Sequence, residues 1–164
     1  MVQEQELDDQ VALTAEKIRT GKTSLGIEFG STRIKAVLID DTYRTIATGD
    51  YGWASHLEDG LWSYTREEIW HGLRSAYSSM AQNVEAAYGE KLIRVGHIGF
   101  SAMMHGYLAF DRGGELLVPF RTWQNTNTSE AHEKLSELFQ YNIPERWSIA
   151  HLYQAVLNKE EHIG

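Results

Sequence analysis

A short segment near the start of the chain combines the residue types that bind phosphate. Glu28 lies at the end of an alternating apolar stretch, and it is followed by Gly30, Ser31, Thr32 and Lys35. Glycine lets a backbone approach a ligand closely, and turn amides with hydroxyl groups can surround a phosphate that a lysine neutralises. A carboxylate at the end of a buried strand is costly unless it meets a cation or donors. The segment predicts either a phosphate site or an ordinary hairpin with a polar tip, and alone it does not separate them.

Two further clusters carry groups suited to a sugar. Met104 and His105 follow an apolar segment, and Trp123, Gln124 and Asn125 follow a turn that contains proline. An imidazole or amide can exchange hydrogen bonds with a hydroxyl, whereas a thioether packs against the apolar side of a carbon chain. The alternatives are a histidine satisfied in the core and a tryptophan packed in a loop. Neither cluster decides between them by itself.

Other patterns do not support a second nucleotide or metal motif. The Gly-Lys-Thr triplet at 21–23 fails as a P-loop, because the required first glycine would fall at Glu16 and the triplet precedes a strand. The remaining histidines lack the spacing of a metal site. Three tryptophans lie close together in sequence, and we favour core packing over a ligand cleft for Trp53, Trp62 and Trp70.

Composition bounds the function classes. The chain has 164 residues, 42% of them hydrophobic, which suffices for one domain with a core or for part of a larger one. A net charge of −8 argues against nucleic acid as a main partner, because phosphate backbones bind clustered basic residues. No stretch is apolar over a membrane-spanning length, and Met1–Gln10 is acidic, unlike a secretory signal. With no cysteine for disulfides, we expect a cytoplasmic protein without a membrane partner. A homodimer is compatible with the sequence.

The first half of the sequence predicts a helix, an antiparallel meander and a second helix. Gln3–Arg19 has helical apolar spacing and ends before Gly21. Period-two alternation and short turns then predict three strands, over 24–30, 33–40 and 42–50. After an irregular segment at 52–63, Thr65 and Glu68 form a capping box for a long helix over 66–88.

The second half predicts strands followed by helices. We expect a buried strand over 94–101, a further strand over 106–111 and a turn at 112–114. A helix capped by Asn127 or Thr128 runs to about Gln140, and Ser148 caps another.

The phosphate-binding segment resembles the first phosphate motif of the FGGY carbohydrate kinases, within the actin/hexokinase/Hsp70 superfamily. The family pattern is an acidic residue, any residue, Gly, Thr, then Thr or Ser, with a basic residue shortly after. The resemblance implies Mg²⁺ contact through water at Glu28 and ATP phosphate contacts from Gly30, Ser31, Thr32 and Lys35. The family usually has Asp where Glu28 stands.

The two sugar-suited clusters resemble motifs of the xylulokinase branch of the same family. Gly99–Gly106 is similar to Gly-x-Ser-x-Gln-Met-His-Gly, with Met103 in place of Gln, so Met104 and His105 are implied sugar contacts. The segment at 110–125 is similar to the family's turn, Pro and Trp-Gln/Asn-Asp segment. It implies sugar contacts from Trp123, Gln124 and Asn125, although the last position usually carries Asp.

The resemblance implies an α/β, ribonuclease-H-like (actin-like ATPase) domain, with a mixed five-stranded sheet and flanking helices, that is incomplete here. Residues 1–22 are then a helical extension, and 23–164 the N-terminal part of the first domain. The implied reaction is phosphorylation of a ketopentose-like sugar of the xylulose or ribulose type, with ATP and Mg²⁺. The family's catalytic Asp and its second domain are expected beyond this chain, so we expect the chain alone to be inactive.

Two alternatives from other classes remain open. One is a non-catalytic sugar-binding or regulatory module derived from such a kinase, which would bind sugar without nucleotide. The other is an actin-like ATPase or assembly protein, which would form polymers or hydrolyse ATP without any sugar. Met104 and His105 argue against the second, because such a protein has no sugar to recognise.

Overall fold

A helix that stops at Gly21 leads into the first strand. The computed structural model describes the backbone of residues 2–164 and the side chains of residues 5–164. Gly21 has a φ of 76°, its N–H donates to the Ile18 carbonyl at 3.2 Å, and the Lys22 N–H donates to the Lys17 carbonyl at 2.9 Å. These two bonds satisfy the last carbonyls of the helix in a Schellman motif. The predicted helix and its stop are therefore confirmed.

The regular elements follow in chain order. They are α1 (Val2–Thr20), β1 (Thr23–Phe29), β2 (Arg33–Asp40), β3 (Thr45–Gly52), β4 (His56–Glu58), β5 (Leu61–Ser63), α2 (Arg66–Tyr88), β6 (His97–Ala102), α3 (Ser129–Phe139) and α4 (Ser148–Leu157), with a 3₁₀ turn at Glu161–Ile163.

The main sheet has the strand order β3-β2-β1-β6. The first three strands form the predicted antiparallel meander, and β6 pairs parallel with β1. In this register Glu28 lies opposite Lys35 on β2 and beside Ser101 on β6. The mixed sheet and the α/β class agree with the prediction, but within residues 2–164 the sheet has four strands instead of five.

The core beneath this sheet is built from alternating strand residues and one face of α2. Ile34, Ala36 and Leu38 on β2 are fully buried, because every second side chain of a strand points to the same face. Ala76, Met80 and Val84 of α2 pack into the same cluster at helical spacing. The capping box is also confirmed, since the Thr65 hydroxyl accepts from the Glu68 N–H at 3.1 Å and the Glu68 carboxylate accepts from the Thr65 N–H at 2.7 Å.

Two strand predictions in the second half are corrected. The strand predicted over 94–101 forms as β6, but all six of its residues are exposed rather than buried. It is an edge strand, and Ile98 and Phe100 remain 56% and 69% exposed. The strand predicted over 106–111 does not form. Positive φ angles at His105 and Gly106 turn the backbone out of the extended region, and only isolated bridges follow.

Contacts divide the chain into two compact units. The first comprises the chain up to Trp53 together with Ile69–Met103, and the second comprises Ala54–Glu68 and Met104–Gly164. The second unit contains the β4–β5 hairpin, which sequence patterns did not predict, although its Asp59-Gly60 turn with two positive φ angles is a typical hairpin signal. Its small core joins Leu135 of α3, Ile143 and Ala150 of α4.

The starts of α3 and α4 differ in detail from the prediction. Thr128 occupies the N-cap position of α3, but its hydroxyl donates to the Glu145 carbonyl at 2.6 Å instead of accepting from the helix. Trp147, not Ser148, is the N-cap of α4. Within the described part of the chain, no helix combines the length and apolar character needed to span a bilayer.

Candidate functional site

Glu28 and Lys35 form an ion pair on one face of the main sheet. They are cross-strand partners at the ends of β1 and β2 that adjoin the connecting turn, and the Lys35 Nζ lies 2.9 Å from the Glu28 Oε2. Both side chains are about half exposed. Directly opposed residues of opposite charge stabilise a strand pair modestly. Because an exposed ion pair is weak, either side chain can leave its partner to bind another charged group. A positive and a negative group are thus held together beside the turn.

The turn at Gly30–Thr32, called here the phosphate turn, is closed by one backbone bond. The Gly30 N–H donates to the Arg33 carbonyl at 3.0 Å. A Cβ atom on Gly30 would lie 2.9 Å from that carbonyl oxygen, a distance that real side chains avoid. Glycine is therefore required for the turn to close, in addition to any approach of a ligand. Ser31 and Thr32 are exposed at its tip.

A shallow depression lies on the sheet next to the ion pair. Its volume is about 350 Å³, and Glu28, Lys35 and Ser101 line it together with two glycines, Gly26 and Gly99. The two glycines are partners in the β1–β6 register, and Val37 and Phe100 also line the depression. The first unit therefore presents glycine backbone, apolar side chains and the charged pair side by side.

The second unit presents Met104 and His105 in different ways. The Met104 side chain is 74% exposed. His105 has a φ of 68°, which is uncommon for a residue with a side chain and is often found at functional positions. The His105 ring stacks on the Trp147 indole, with ring centroids 5.7 Å apart and planes 12° from parallel. The imidazole is thereby held in one plane.

The other three predicted sugar contacts lie together in the second unit. Trp123 is exposed, whereas Gln124 is half-buried and accepts a hydrogen bond from the Ser55 hydroxyl at 2.6 Å. The bond fixes the Gln124 carbonyl oxygen. The Gln124 amide nitrogen is the group with which this side chain would meet a ligand.

Asn125, the third of these residues, is buried and bonded to backbone atoms. It is 4% exposed, its Oδ1 accepts from the Trp62 N–H at 2.9 Å, and its Nδ2 donates to the Trp62 and Thr122 carbonyls at 2.8 and 3.0 Å. Both N–H donors of the Asn125 amide are therefore bonded to backbone carbonyls. The side chain ties β5 to the loop that carries Trp123, which is a scaffolding contact.

A buried polar cluster of the second unit was not predicted from the sequence. Arg121 forms a bidentate ion pair with Glu160 and lies over the Tyr107 ring, 5.3 Å from its centroid. The Tyr107 hydroxyl is 2.7 Å from the His162 Nε2. His151 of α4 is also fully buried. Its two ring nitrogens have no hydrogen-bond partner among the described residues. Burial and the Arg121 charge lower its pKa from 6.5 to about 4.

The predicted site residues thus fall into two sets, one in each unit. Glu28, Lys35 and the phosphate turn come together in the first unit. Met104, His105 and 123–125 belong to the second. Among the described residues, no group of three or more His, Cys, Asp or Glu side chains is placed to hold a metal ion. Sequence reasoning missed Trp147 and Ser55, which contact their partners only through the fold.

The sequence and the fold are similar to those of known carbohydrate kinases. Residues 23–154 match the family model described as "FGGY family of carbohydrate kinases, N-terminal domain". A gluconokinase of Bacillus subtilis (strain 168) is 28% identical over 123 residues, which is 74% of this chain and 23% of that protein. The structure also superposes on a "xyloylose kinase" from Brucella ovis with a TM-score of 0.71 and 19% identity, covering 85% of this chain and 30% of the other.

A glycerol kinase from Plasmodium falciparum, solved with ADP, gives a TM-score of 0.68 and 17% identity, covering 86% of this chain and 30% of the other. The chain spans less than a third of the length of each of these relatives. The predicted α/β fold of the actin-like ATPase type is confirmed by these structural neighbours. The chain belongs to the FGGY family of carbohydrate kinases, and residues 23–154 correspond to its N-terminal domain.

Proposed function

We propose that this chain is the N-terminal part of a kinase that transfers the ATP γ-phosphoryl group to a hydroxyl of a ketopentose-like sugar. The observation that carries the proposal is the Glu28–Lys35 pair beside the phosphate turn, with 2.9 Å between Nζ and Oε2. It brings a cation, an anion and a glycine turn to one end of two strands. Family membership supports the carbohydrate kinase activity. The relatives are named for different substrates, xyloylose, gluconate and glycerol, so they do not choose the sugar class. We take the sugar class from the resemblance of Met104 and His105 to the xylulokinase motif.

The phosphate turn receives the ATP phosphates. The backbone amides and exposed hydroxyls of Ser31 and Thr32 supply hydrogen bonds, and Lys35 supplies positive charge. Lys35 leaves Glu28 for the phosphate at little cost, because an exposed ion pair contributes at most about 1 kcal/mol. Releasing Lys35 also frees the Glu28 carboxylate.

The residues present fit a magnesium ion of the kind that kinases use. Mg²⁺ is commonly bound by one or two carboxylates together with substrate phosphates and waters, so the single half-exposed carboxylate of Glu28 suffices on the protein side. Glu28 would hold the ion through water. When bound, the ion neutralises charge on the phosphates during transfer.

The second unit binds the sugar. His105 and the Gln124 amide nitrogen exchange hydrogen bonds with hydroxyls, while Met104 and Trp123 cover the carbon chain. Met104 and Trp123 are exposed and therefore open to a ligand. Asn125 acts indirectly, by holding the loop on which Trp123 and Gln124 lie.

We assign no general base to this chain. A base must lie within hydrogen-bond reach of the attacking hydroxyl. None of the residues that match the family's motifs in either unit is a candidate for that role. The 164-residue chain alone is therefore expected to bind ligands without releasing ADP. ADP release that requires both ATP and sugar would contradict this part of the proposal.

Titration of the ¹⁵N-labelled chain with MgATP tests the nucleotide half. We expect shifts at the amides of the phosphate turn, and we expect Lys35→Ala to weaken MgATP binding about ten- to a hundredfold, as for the loss of one charge-assisted hydrogen bond. Lys91→Ala, which removes an exposed lysine of the same unit, is the matched control. A turn that does not respond to MgATP rules out the proposed phosphate site.

A panel of D-xylulose, D-ribulose, gluconate and glycerol tests the sugar half. The proposal expects the two ketopentoses to shift the signals of His105 and the Trp123 indole most. A stronger response to gluconate or glycerol would change the substrate class and leave the kinase assignment in place.

One observation favours a second candidate, a sugar-binding module that acts without nucleotide. Met104, His105, Trp123 and Gln124 all belong to the second unit, which contains none of the residues of the phosphate turn. Sugar binding with no response to MgATP at any concentration would favour this reading over the kinase.

A further inference from the structure

Trp53 makes two hydrogen bonds to the phosphate turn. Its indole Nε1 donates to the Gly30 carbonyl at 2.7 Å, and its backbone N–H donates to the Thr32 carbonyl at 3.2 Å. Trp53 directly follows β3, and the last residue of β3, Gly52, pairs with Arg33 at the start of β2. The meander therefore brings this tryptophan to the turn that joins β1 and β2.

The Trp53 ring also packs against the core of the first unit. The residue is half-buried, and the apolar core that it contacts includes Ile27 and Ile34. A side chain held by core packing presents its indole N–H in a fixed direction. Trp53 thus connects the rigid core with the turn.

These bonds set the direction of two peptide groups in the turn. A trans peptide is planar, and its C=O and N–H point in opposite directions. Fixing the Gly30 carbonyl therefore also fixes the Ser31 N–H, and fixing the Thr32 carbonyl fixes the Arg33 N–H. The one backbone bond that closes the turn, from the Gly30 N–H to the Arg33 carbonyl, constrains neither of these two carbonyls directly.

Without this support the turn has more conformational freedom. Gly30 has the largest backbone freedom of any residue type, and Ser31 and Thr32 are exposed. A turn that binds phosphate through its amides gains affinity when those amides are already oriented, because less freedom is lost on binding.

We propose that Trp53 is a positioning residue that holds the phosphate turn in the conformation that receives the nucleotide phosphates. This role rests on the proposed function of that turn. The indole of Trp53 acts through the Gly30 carbonyl, its backbone N–H acts through the Thr32 carbonyl, and its contribution is orientation of the turn. The competing role is core packing alone, which Trp53 shares with other residues of the cluster.

Trp53→Phe separates the two roles. Phenylalanine keeps an aromatic ring in the core and keeps the backbone bond to Thr32, and it removes the indole N–H. Trp70→Phe is the matched control, because Trp70 is in the same unit, is 51% exposed and lies on α2.

The first measurement needs no ligand. Amide hydrogen exchange of Gly30, whose N–H is bonded to Arg33, reports how firmly the turn is closed. We expect Trp53→Phe to speed this exchange about three- to tenfold, as for the loss of one hydrogen bond, and Trp70→Phe to leave it unchanged. Equal exchange in both variants would overturn the claim that Trp53 holds the turn.

The second measurement is the dissociation constant of MgATP, read from the shifts of the turn amides. Trp53→Phe is expected to weaken MgATP binding about three- to tenfold and to leave D-xylulose binding unchanged. If the variant binds MgATP as the unaltered chain does, the positioning role is wrong and the proposed function stands. If the unaltered chain shows no response to MgATP, the proposed function fails, and the role of Trp53 in phosphate binding fails with it.

Discussion

The imidazole of His105 lies flat against the indole of Trp147, with ring centroids 5.7 Å apart and ring planes 12° from parallel. Tyr141 lies on the same tryptophan at a centroid distance of 6.5 Å. His105 takes a positive φ, so its backbone is in an uncommon conformation while its ring is held by stacking. Trp147 therefore restricts the plane in which the edges of this imidazole lie.

Replacing Trp147 is expected to weaken sugar binding. Trp147→Leu removes the stacking partner of His105, and since such a pair contributes about 0.5–1.5 kcal/mol, affinity falls about two- to tenfold. Trp147→Phe keeps an aromatic face and most of the affinity. Calorimetry with D-xylulose measures the change, and Tyr141→Leu, which removes the other ring on Trp147, is the control. Equal losses in the Leu variants at both positions would contradict a specific role of the stacking.

Asp40 is expected to stabilise the first unit in a pH-dependent way. Its buried carboxylate accepts from the Thr42 hydroxyl at 2.7 Å, from the Thr42 and Arg44 N–H groups, and from Lys17. The Thr42 hydroxyl and these other donors hold the pKa of Asp40 well below its ordinary value of 3.8, although burial opposes the shift. Asp40→Asn should lower the free energy of unfolding by about 1–3 kcal/mol at pH 7.

The sign of the pH effect follows from the lowered pKa. The contribution of Asp40 is complete above pH 3.8 and is lost as pH falls below that value, because the unfolded chain takes up the proton first. Urea unfolding of the variant and the unaltered chain should therefore converge in acid. Asp50→Asn, at an exposed carboxylate paired with Arg33, should change stability little at any pH. A gap between Asp40→Asn and the unaltered chain that keeps the same size from pH 7 down to pH 2 would contradict this explanation.

His151 is expected to have the opposite character, as a buried group that destabilises the fold in mild acid. Its pKa is lowered from 6.5 to about 4 by burial and by the Arg121 charge, so between these pH values the unfolded chain binds a proton that the folded chain does not. Stability should fall as pH decreases from 6.5 to 4, in total by on the order of 3 kcal/mol.

His151→Leu tests this directly. Both ring nitrogens lack a hydrogen-bond partner in the described part of the chain, so an apolar side chain of similar size should be tolerated at neutral pH. At pH 5 the variant should be more stable than the unaltered chain in urea unfolding. His97→Gln, at an exposed histidine on β6, serves as the control. A variant that loses stability equally at pH 5 and pH 8 would show that His151 acts through packing alone.

Gly49 on β3 allows α2 to cross the sheet in direct contact. A Cβ atom there would lie 2.3 Å from the Met80 nitrogen and 2.4 Å from the Ala76 carbonyl oxygen, both of them backbone atoms. Gly49→Ala should lower the free energy of unfolding by about 1–3 kcal/mol, since α2 must move away. Gly99→Ala, where a Cβ would meet nothing within 4 Å, should be close to neutral in the same thermal or urea measurement.

The sequence predicted those elements whose pattern reflects their own burial. β1 and β2 alternate because one face of each is covered, and the capping box of Thr65 and Glu68 marks the start of α2 to the residue. The β4–β5 hairpin was missed because its strands have three residues each, too few for alternation to register. The prediction that β6 is buried was wrong. An apolar segment predicts that a strand can be buried, but it does not identify the element that would cover it.

The site was predictable as residue types and not as contacts. That Glu28 faces Lys35 depends on the β1–β2 register, and the turn at Gly30–Thr32 fixes that register. The stacking of His105 on Trp147 joins residues far apart in sequence, for which local pattern holds no signal. Asn125 carries a side chain suited to a sugar hydroxyl, and only its three bonds to backbone atoms reveal a scaffolding role.

The open edge at β6 also governs how this chain behaves at high concentration. Among the described residues β6 pairs with β1 on one side, so its other side offers a row of backbone donors and acceptors beside the exposed Ile98 and Phe100. Exposed edges of this kind recruit strands from other molecules, and charged residues on them prevent it. Self-association of the isolated chain should begin at this strand, and a lysine in place of Phe100 is the substitution to make first when preparing soluble material.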